Sequence, residues 1–487
     1  MIMDRMNILL TSVGRRSYLV KYFKQALAGI GKVYVSNSSA QSPAFQVADG
    51  AVVSPLIYDD NYIPFLLNYC KANDISAIIS LFDVDLPILA KNKNFFAEQG
   101  VTVIVSDYCV IEKCNDKYST YKFLLENGFN APKTYINLNC AIEEINNKEL
   151  YYPVFVKPRW GMGSIAVYEA CNDEELTVFY KKVKREIQKS YLKYESNIDI
   201  DNSVLIQEKL KGQEYGLDVI NDLNGRYQNT IVKKKIAMRS GETDCATTVS
   251  SELLNKLGET LSNKLKHIAN LDVDVFVVDG KPYVLEMNAR FGGGYPFSHM
   301  AGVNLPYAII GWLVGENIDR NTLVAKEDIT CQKDIDIVYL KNSSIDYKFI
   351  TRELIEKAVT KLEKFIFPNL SERGIVIKDY ARKIDSNGIA IAAVDRNEIV
   401  GILTGYVNYD QFGYISLFSI DDEHQGVGIG KNLYRIYEQI AHDNGLKTIK
   451  LQVRKHNSKA ISIYKHFGFE IIEEASETSY YMTKTLD

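Results

Sequence analysis

The sequence predicts an α/β protein built of several units, and three observations carry that expectation. Between residues 7 and 111 short apolar runs alternate with amphipathic stretches, the pattern of strands crossing through helices into a parallel sheet of Rossmann type. In mid-chain two strand-like runs carry charged residues and meet at Asp279-Gly280, a hairpin dipeptide. Near the C-terminus a glycine-rich turn opens an amphipathic helix. The 487 residues exceed what one core serves, so roughly three to four units are expected.

In order along the chain, residues 7–13 read as a buried strand ending at Gly14, and 18–28 as an amphipathic helix. Residues 33–36, 77–81 and 101–105 are further β-like runs with helical patterns between them, so a first unit is expected over 1–111. The segment TSVGRR after the first strand lacks G-x-G-x-x-G, which argues against a dinucleotide site there. A helix over 117–127 stops at Gly128, and 153–157 read as a strand running into a glycine-bearing loop. Residues 204–208 and 215–220 read as strands, 230–238 as a basic strand, and 273–287 as a hairpin, giving a second unit over 112–325. Polar composition over 326–344 marks a linker or short strand. From 345 to 487 two helical segments precede four strand runs, with a helix over 431–444 before the fourth, and a short helix and two strands finish the chain.

Composition narrows the function classes. With 57 basic and 61 acidic residues the net charge is −4, which excludes a mainly nucleic-acid partner. The basic run over 181–193 is mixed with glutamate and aromatic residues and reads as a solvated helix face. Seven scattered cysteines with no C-x-x-C point to reduced thiols. No apolar run is long enough to span a bilayer, and the start resembles a first strand more than a signal peptide. A cytoplasmic enzyme acting on small molecules is expected.

The mid-chain hairpin carries the first chemistry. Asp274 and Glu286 lie on opposite arms, and Asn288 follows Glu286 on the same strand face. Two carboxylates and an amide oxygen suit Mg²⁺ (or Mn²⁺) shared with phosphates. Arg290 continues that face, placed to stabilise charge on a transferring phosphoryl group. The run VLEMNARFGGG resembles the metal-binding signature of the ATP-grasp superfamily, which includes carbamoyl phosphate synthetase and biotin carboxylase. PVFVKPRWGMGS resembles that family's phosphate-binding strand and mobile loop, and LIQEKLKGQEYGLDV its adenine hinge. The resemblance covers residues 7–325 and implies an ATP-grasp fold: a Rossmann-like unit that helps hold substrate, then two α+β subdomains.

It further implies that Lys157 contacts ATP phosphates, with the backbone of Gly161, Gly163 and Ser164 closing over them, and that Lys117 is the family's earlier nucleotide-contacting basic residue. Glu208, Lys209 and Leu210 then meet the adenine edge and Glu214 the ribose. The implied reaction phosphorylates a carboxylate to an acylphosphate that an amine attacks, with Arg290 steadying the oxyanion. KKKIAMRSGETD lies where related ligases place acceptor-side groups, so Lys235 and Arg239 are candidates for a substrate carboxylate; a plain basic β-ribbon is the competing reading.

The second chemistry sits at Q-x-x-G-x-G, where Gln425, Gly426, Gly428 and Gly430 form a glycine-rich turn at a helix N-terminus, a site for a pyrophosphate. This loop and LKTIKLQVRKHNSKAISIYKHFGFEI resemble the GCN5-related N-acetyltransferase (GNAT) family over residues 345–487. That resemblance implies acetyl-CoA as cofactor, a CoA contact from Asn457, and Tyr464 as the acid that protonates the leaving thiolate. No general base is legible; Asp421, Asp422 and Glu423 read as turn residues, and His424 and His456 as surface residues. The expected protein is a bifunctional biosynthetic enzyme, an ADP-forming carboxylate–amine ligase joined to an acetyltransferase. The alternative is a ligase regulated by a non-catalytic acetyl-CoA-binding domain. A homodimer is expected from the family's habit.

Overall fold

Wholly buried apolar residues place Asn7–Thr11 at the centre of a sheet. The computed structural model describes residues 6–338 and 345–486, apart from 162, 164, 367, 396–397, 409–410 and 427. Five parallel strands lie in the order Gly50–Val53, Val33–Asn37, Asn7–Thr11, Ile75–Ser80, Thr102–Ile104. The helix Ser17–Leu27 buries Leu19, Val20, Phe23, Ala26 and Leu27 along one stripe, which is why it packs back onto that sheet. The strand order reverses between Asn7–Thr11 and Ile75–Ser80, the position where open α/β sheets leave a crevice. Asp85 ties that point together, accepting hydrogen bonds from Tyr62 Oη at 2.7 Å, Ser80 Oγ at 3.0 Å, Ser12 Oγ at 3.2 Å and the Thr11 hydroxyl. Burial pushes the Asp85 carboxyl upward against those four donors.

Two antiparallel sheets follow. A four-stranded sheet has the order Thr134–Tyr135, Val204–Glu208, Val154–Pro158, Tyr168–Ala170, with the helix Asp173–Lys189 packed on it through Leu176, Val183 and Ile187. A six-stranded sheet has the order Lys281–Asn288, Ala269–Val278, Gln213–Asn221, Tyr227–Arg239, Glu242–Thr248, Thr330–Gln332. Its Leu217, Val219, Leu271, Val273 and Val275 share a core with Leu9, Ile78 and Val103 of the parallel sheet. The linker expected over 326–344 therefore begins with an edge strand, Thr330–Gln332, paired to Glu242–Thr248. The helix Tyr108–Asn115 runs through the boundary expected at 111.

Contacts divide the chain into two compact units, residues 1–340 and 341–487. The second holds a seven-stranded sheet ordered Asp346–Phe349, Ile389–Asp395, Glu398–Tyr406, Phe412–Ile420, Thr448–Arg454, Ser479–Thr485, Glu470–Ser476. Only Phe412–Ile420 and Thr448–Arg454 run parallel. The helices Arg352–Leu362 and Ile377–Asn387 cover the face bearing Ala390, Ala392, Ile402 and Leu417. The helix Ile429–Asp443 covers the opposite face, against Ile391, Ala393, Leu403 and Ile415. No helix among the described residues is long and apolar enough to cross a membrane.

One buried group gives the first unit a pH dependence. His267 is fully buried, with Nε2 2.9 Å from Val219 O, and burial pushes its pKa down to about 4. The unfolded imidazole titrates near 6.5, so at lower pH the unfolded chain binds a proton that the folded one refuses. The stability from this group is complete above pH 6.5 and falls by about 3 kcal/mol as pH drops towards 4. Denaturant titrations across that window should show His267→Gln, whose amide donates to Val219 without titrating, losing less stability than the parent.

Candidate functional site

Strand alternation decides which side chains enter the first unit's cavity. Because Leu217, Val219, Leu271, Val273 and Val275 face the core, Glu214, Gly216, Asp218, Asp272 and Asp274 project from the other face, beside Lys233 and Lys235. That face, the four-stranded sheet and the loop ends of the parallel sheet enclose about 710 Å³. Gly216 lies opposite both Asp274 and Lys233, and a Cβ there would stand 3.4 Å from Lys235 Cε, so its bareness leaves room for the lysine stems.

The hairpin pairs Asp274 directly with Glu286, and Asp272 with Asn288. Val275 then pairs with Val284, so Leu285 is an extra residue and the strand is bulged where Glu286 enters the cavity. Burial pushes the Glu286 carboxyl up, but Lys117, Lys157, Arg290 and Lys235 together outweigh it and hold the group ionised. Lys117 Nζ stands 3.7 Å from Glu286, and Lys235 Nζ 2.6 Å from Asp274. Two facing carboxylates with an amide oxygen alongside form a hard oxygen donor set that fits Mg²⁺.

Lys157 is buried on Val154–Pro158 and donates to Gln207 Oε1 at 2.7 Å; Gln207 in turn donates to Thr134 at 2.8 Å. Burial lowers the Lys157 pKa to about 8, Glu286 opposing and Lys117 adding to the fall. Lys117 also donates to the Gly161 carbonyl, and Gly161 and Gly163 adopt φ of 129° and 64°, open to glycine alone without strain. Glu208, Lys209, Leu210 and Glu214 line the same cavity. Ser164 lies outside the described residues. A buried lysine with only a neutral partner, beside a positive-φ glycine loop, fits a nucleotide's phosphates.

Arg290 bridges the sheets. Its Nε and Nη2 donate to Asp83 Oδ2 at 3.0 and 2.8 Å, and its Nη1 to Asp272 Oδ2 at 3.2 Å. Lys235 lies between Glu214 at 2.7 Å, on the adjacent strand, and Asp274, on the strand beyond it, and its stem passes over the bare Gly216. Arg239 stays out of the cavity lining: its side chain is 53% exposed and pairs with Asp244 at 3.3 Å. Sequence reasoning missed Asp272, Gln207, Asp83 and Arg16. The alternation in LDVDV could have revealed Asp272, two residues before Asp274 on the same face.

In the second unit, strands Phe412–Ile420 and Thr448–Arg454 pair only as far as Ile415 and Leu451, and their C-terminal ends part. Gly426 and Gly428 follow with φ of 81° and 88°; no side chain caps the helix Ile429–Asp443, and Gly430 lies in its first turn. Free N–H groups beside parted strands fit a pyrophosphate-bearing cofactor. Gln425 donates to Ile420 O at 3.1 Å and accepts from Lys459 at 2.6 Å, so its side chain shapes the loop. Asn457 caps the helix Ser458–His466, its Oδ1 accepting from Ala460 N at 3.0 Å, which leaves the amide N–H₂ as its outward group. Tyr464 is half-buried against Phe418 and Phe469, and burial pushes its phenol up to about 12. His424, expected at the surface, is half-buried with Asp395 and Asp421 at 3.4 and 3.6 Å, Asp395 being brought from the end of the strand Ile389–Asp395.

Three family models match the chain: the PylC-like N-terminal domain over residues 8–104, the ATP-grasp domain over 114–294, and the acetyltransferase (GNAT) family over 356–469. The chain thus carries an ATP-grasp domain behind a PylC-like N-terminal domain, with a GNAT-family domain downstream. The carbamoyl phosphate synthase large chain of Pseudothermotoga lettingae is 23% identical over 297 residues, 58% of this chain and 25% of that one. The chain thus spans about a quarter of that relative's length. The L-amino acid ligase of Bacillus licheniformis superposes with a TM-score of 0.53 at 18% identity, covering 67% of this chain and 80% of that one. The biotin carboxylase domain dimer of Hydrogenobacter thermophilus 2-oxoglutarate carboxylase, bound to MgADP and bicarbonate, superposes at 0.51 and 17% identity, covering 64% and 70%. These likenesses show the ATP-grasp fold.

The glycine run that follows Arg290 has a local explanation and a test. A Cβ on Gly292 would lie 2.1 Å from Asp272 Cγ, in the carboxylate that holds Arg290. Gly292→Ala should destabilise the chain by about 1–3 kcal/mol through overpacking, read as a lowered denaturation midpoint.

Proposed function

We propose that the first unit is an ADP-forming carboxylate–amine ligase. The observation that carries the reading is the facing Asp274–Glu286 pair set between Lys157 and Arg290 in one cavity. Lys157, Lys117 and the backbone of Gly161 and Gly163 hold the ATP phosphates; Glu208, Lys209 and Leu210 meet the adenine, and Glu214 the ribose. Asp274, Glu286 and Asn288 would hold Mg²⁺, which supplies charge neutralisation for the phosphates. The γ-phosphoryl passes to a substrate carboxylate oxygen and ADP leaves. An amine nitrogen then attacks the carbonyl carbon, phosphate departs with the bonding pair, and the amine loses a proton. Arg290, fixed by Asp83 and Asp272, is aimed by those pairs rather than by the substrate, so its charge is preorganised for the oxyanion. The nucleotide and metal seen in the H. thermophilus neighbour support the assignment of ATP and Mg²⁺.

The second unit is an N-acetyltransferase acting on a small amine of the same pathway. The Gly426–Gly430 turn and the helix dipole hold the pyrophosphate of acetyl-CoA, Asn457 offers its amide, and a phenol pushed up to about 12 keeps Tyr464 protonated and able to donate to the leaving thiolate.

Glu286→Ala should abolish ADP release in a coupled assay over amino acids paired with amines, since it removes a phosphate-side ligand; retained release would remove the metal assignment. In an acetyl-transfer assay over an amine panel, Tyr464→Phe should lower kcat by about 10²-fold or more. A parent that binds acetyl-CoA and transfers to no amine would make the domain a sensor for the ligase.

A further inference from the structure

The cavity's cations are balanced one by one, with two exceptions. Lys209, Lys233, Lys235 and Arg290 each pair with carboxylates, and Lys117 faces Glu286. Among the described residues, Lys157 has only the amide oxygen of Gln207 as a side-chain partner, and the Arg16 side chain has no hydrogen bond or ion pair. Lys157 stands at the phosphate side. Arg16 belongs to the loop between the first strand and the first helix, and its side chain lines the same cavity.

The strands order the two along the cavity. Lys157 stands on Val154–Pro158 of the four-stranded sheet, Arg290 is paired with Asp83 in the loop after Ile75–Ser80, and Arg16 lies in the loop after Asn7–Thr11, the strand beside Ile75–Ser80. Arg16 therefore lies beyond Arg290 as seen from the phosphates. Arg16 is half-buried; burial and Arg290 both pull its pKa down, but a guanidinium stays protonated, so this is a partly desolvated cation with a repelling neighbour. Glu242, the nearby acid on the lining, is engaged by Lys333 at 2.9 Å. The helix Ser17–Leu27 that begins after Arg16 has no side-chain cap and no acidic residue in its first turn, which adds positive potential at the same place. A planar fork of donors, unsatisfied and beside a helix N-terminus, is built to meet a carboxylate.

We propose that Arg16 anchors a carboxylate that the reaction leaves free, and that the substrate at this end of the cavity is an amino acid. The reacting carboxylate must lie between Lys157 and Arg290 to receive the phosphoryl group. A second anion site beyond Arg290 thus selects a substrate with a carboxylate to spare. The proposal rests on the ligase reading for the identity of the reaction, while the anion site stands on its own geometry.

Arginine-selective modification of the full chain by phenylglyoxal, mapped by peptide mass spectrometry, tests it with each of the twenty L-amino acids and the corresponding α-amides as probes. At least one amino acid should slow modification of Arg16 by roughly tenfold or more while its amide does not, and the ion-paired Arg159 serves as control. If no amino acid protects Arg16, or an amide protects equally, the anion site is overturned. The ADP assay on the same protein separates the two readings. Protection without amino-acid-dependent ADP release keeps the site and removes the ligase reading; ADP release without protection removes the site alone. Where release occurs, Arg16→Gln should raise KM for that amino acid by roughly 10–100-fold with little change in kcat, and Arg16→Lys should recover part of it. A loss confined to kcat would overturn the anchoring role.

Discussion

The first unit depends on one constraint: a β-sheet face that carries ionised side chains inside the protein must bring each its counter-charge. The six-stranded sheet meets this across neighbouring strands. Asp218 and Lys233, both essentially without exposure, neutralise each other, and Lys235 is shared by Glu214 and Asp274. An uncompensated charge at any of these positions would cost several kcal/mol, far more than an exposed pair contributes. The opposite face is mainly apolar and packs on the helix Glu252–Leu265 through Leu254, Leu257 and Leu261, so a one-residue slip in register would exchange the two faces and lose both. The charge pattern and the hydrophobic core therefore specify the same alignment.

Arg290 carries this constraint between sheets. Its partner Asp83 comes from the loop after the fourth parallel strand, 207 residues away in sequence. The pair closes the gap between the crevice of the parallel sheet and the charged face of the antiparallel one. Asp85, two residues on, fixes the same loop through four hydroxyl donors, so the position of Asp83 is set by a network with no part in the cavity lining. Rigid support behind a charged group is what lets it act without reorganising.

What the sequence disclosed follows the range of the interactions involved. The hairpin was legible because its turn dipeptide and its alternation are local, and strands Ala269–Val278 and Lys281–Asn288 bracket Asp279-Gly280 as expected. The helix 117–127 and the strand 204–208 were legible for the same reason. Gly50–Val53 was missed: a short edge strand, only partly buried, leaves no apolar run to read. The bulge at Leu285 was beyond reach, since it is a property of two strands' register and not of either one. Asp83, Arg16 and Gln207 were missed because their importance lies in partners, or in the lack of one, that only tertiary structure assigns. Lys235 shows the same limit from the other side. Its basic strand was read correctly, but its two carboxylate partners, Glu214 on the adjacent strand and Asp274 on the one beyond, are assigned only by the sheet order.

On the proposed reading, the two units solve anion recognition by different means. In the second, backbone N–H groups at a helix start do the work, and no lysine or arginine need be buried for it. A diphosphate bridge of fixed shape suits such a cradle, because every N–H is placed by the turn itself. In the first, the anions change charge and position during the reaction, so side-chain cations are required, and each buried cation must be balanced before and after turnover. Charges near the centre of the cavity are balanced by the protein. The two that are not, Lys157 and Arg16, stand on either side of Arg290, and these are the places where substrates must bring the missing negative charge themselves. On the proposed reading, binding is thereby coupled to the cavity's electrostatics: a phosphate chain would satisfy one end and a carboxylate the other, with Arg290 between them.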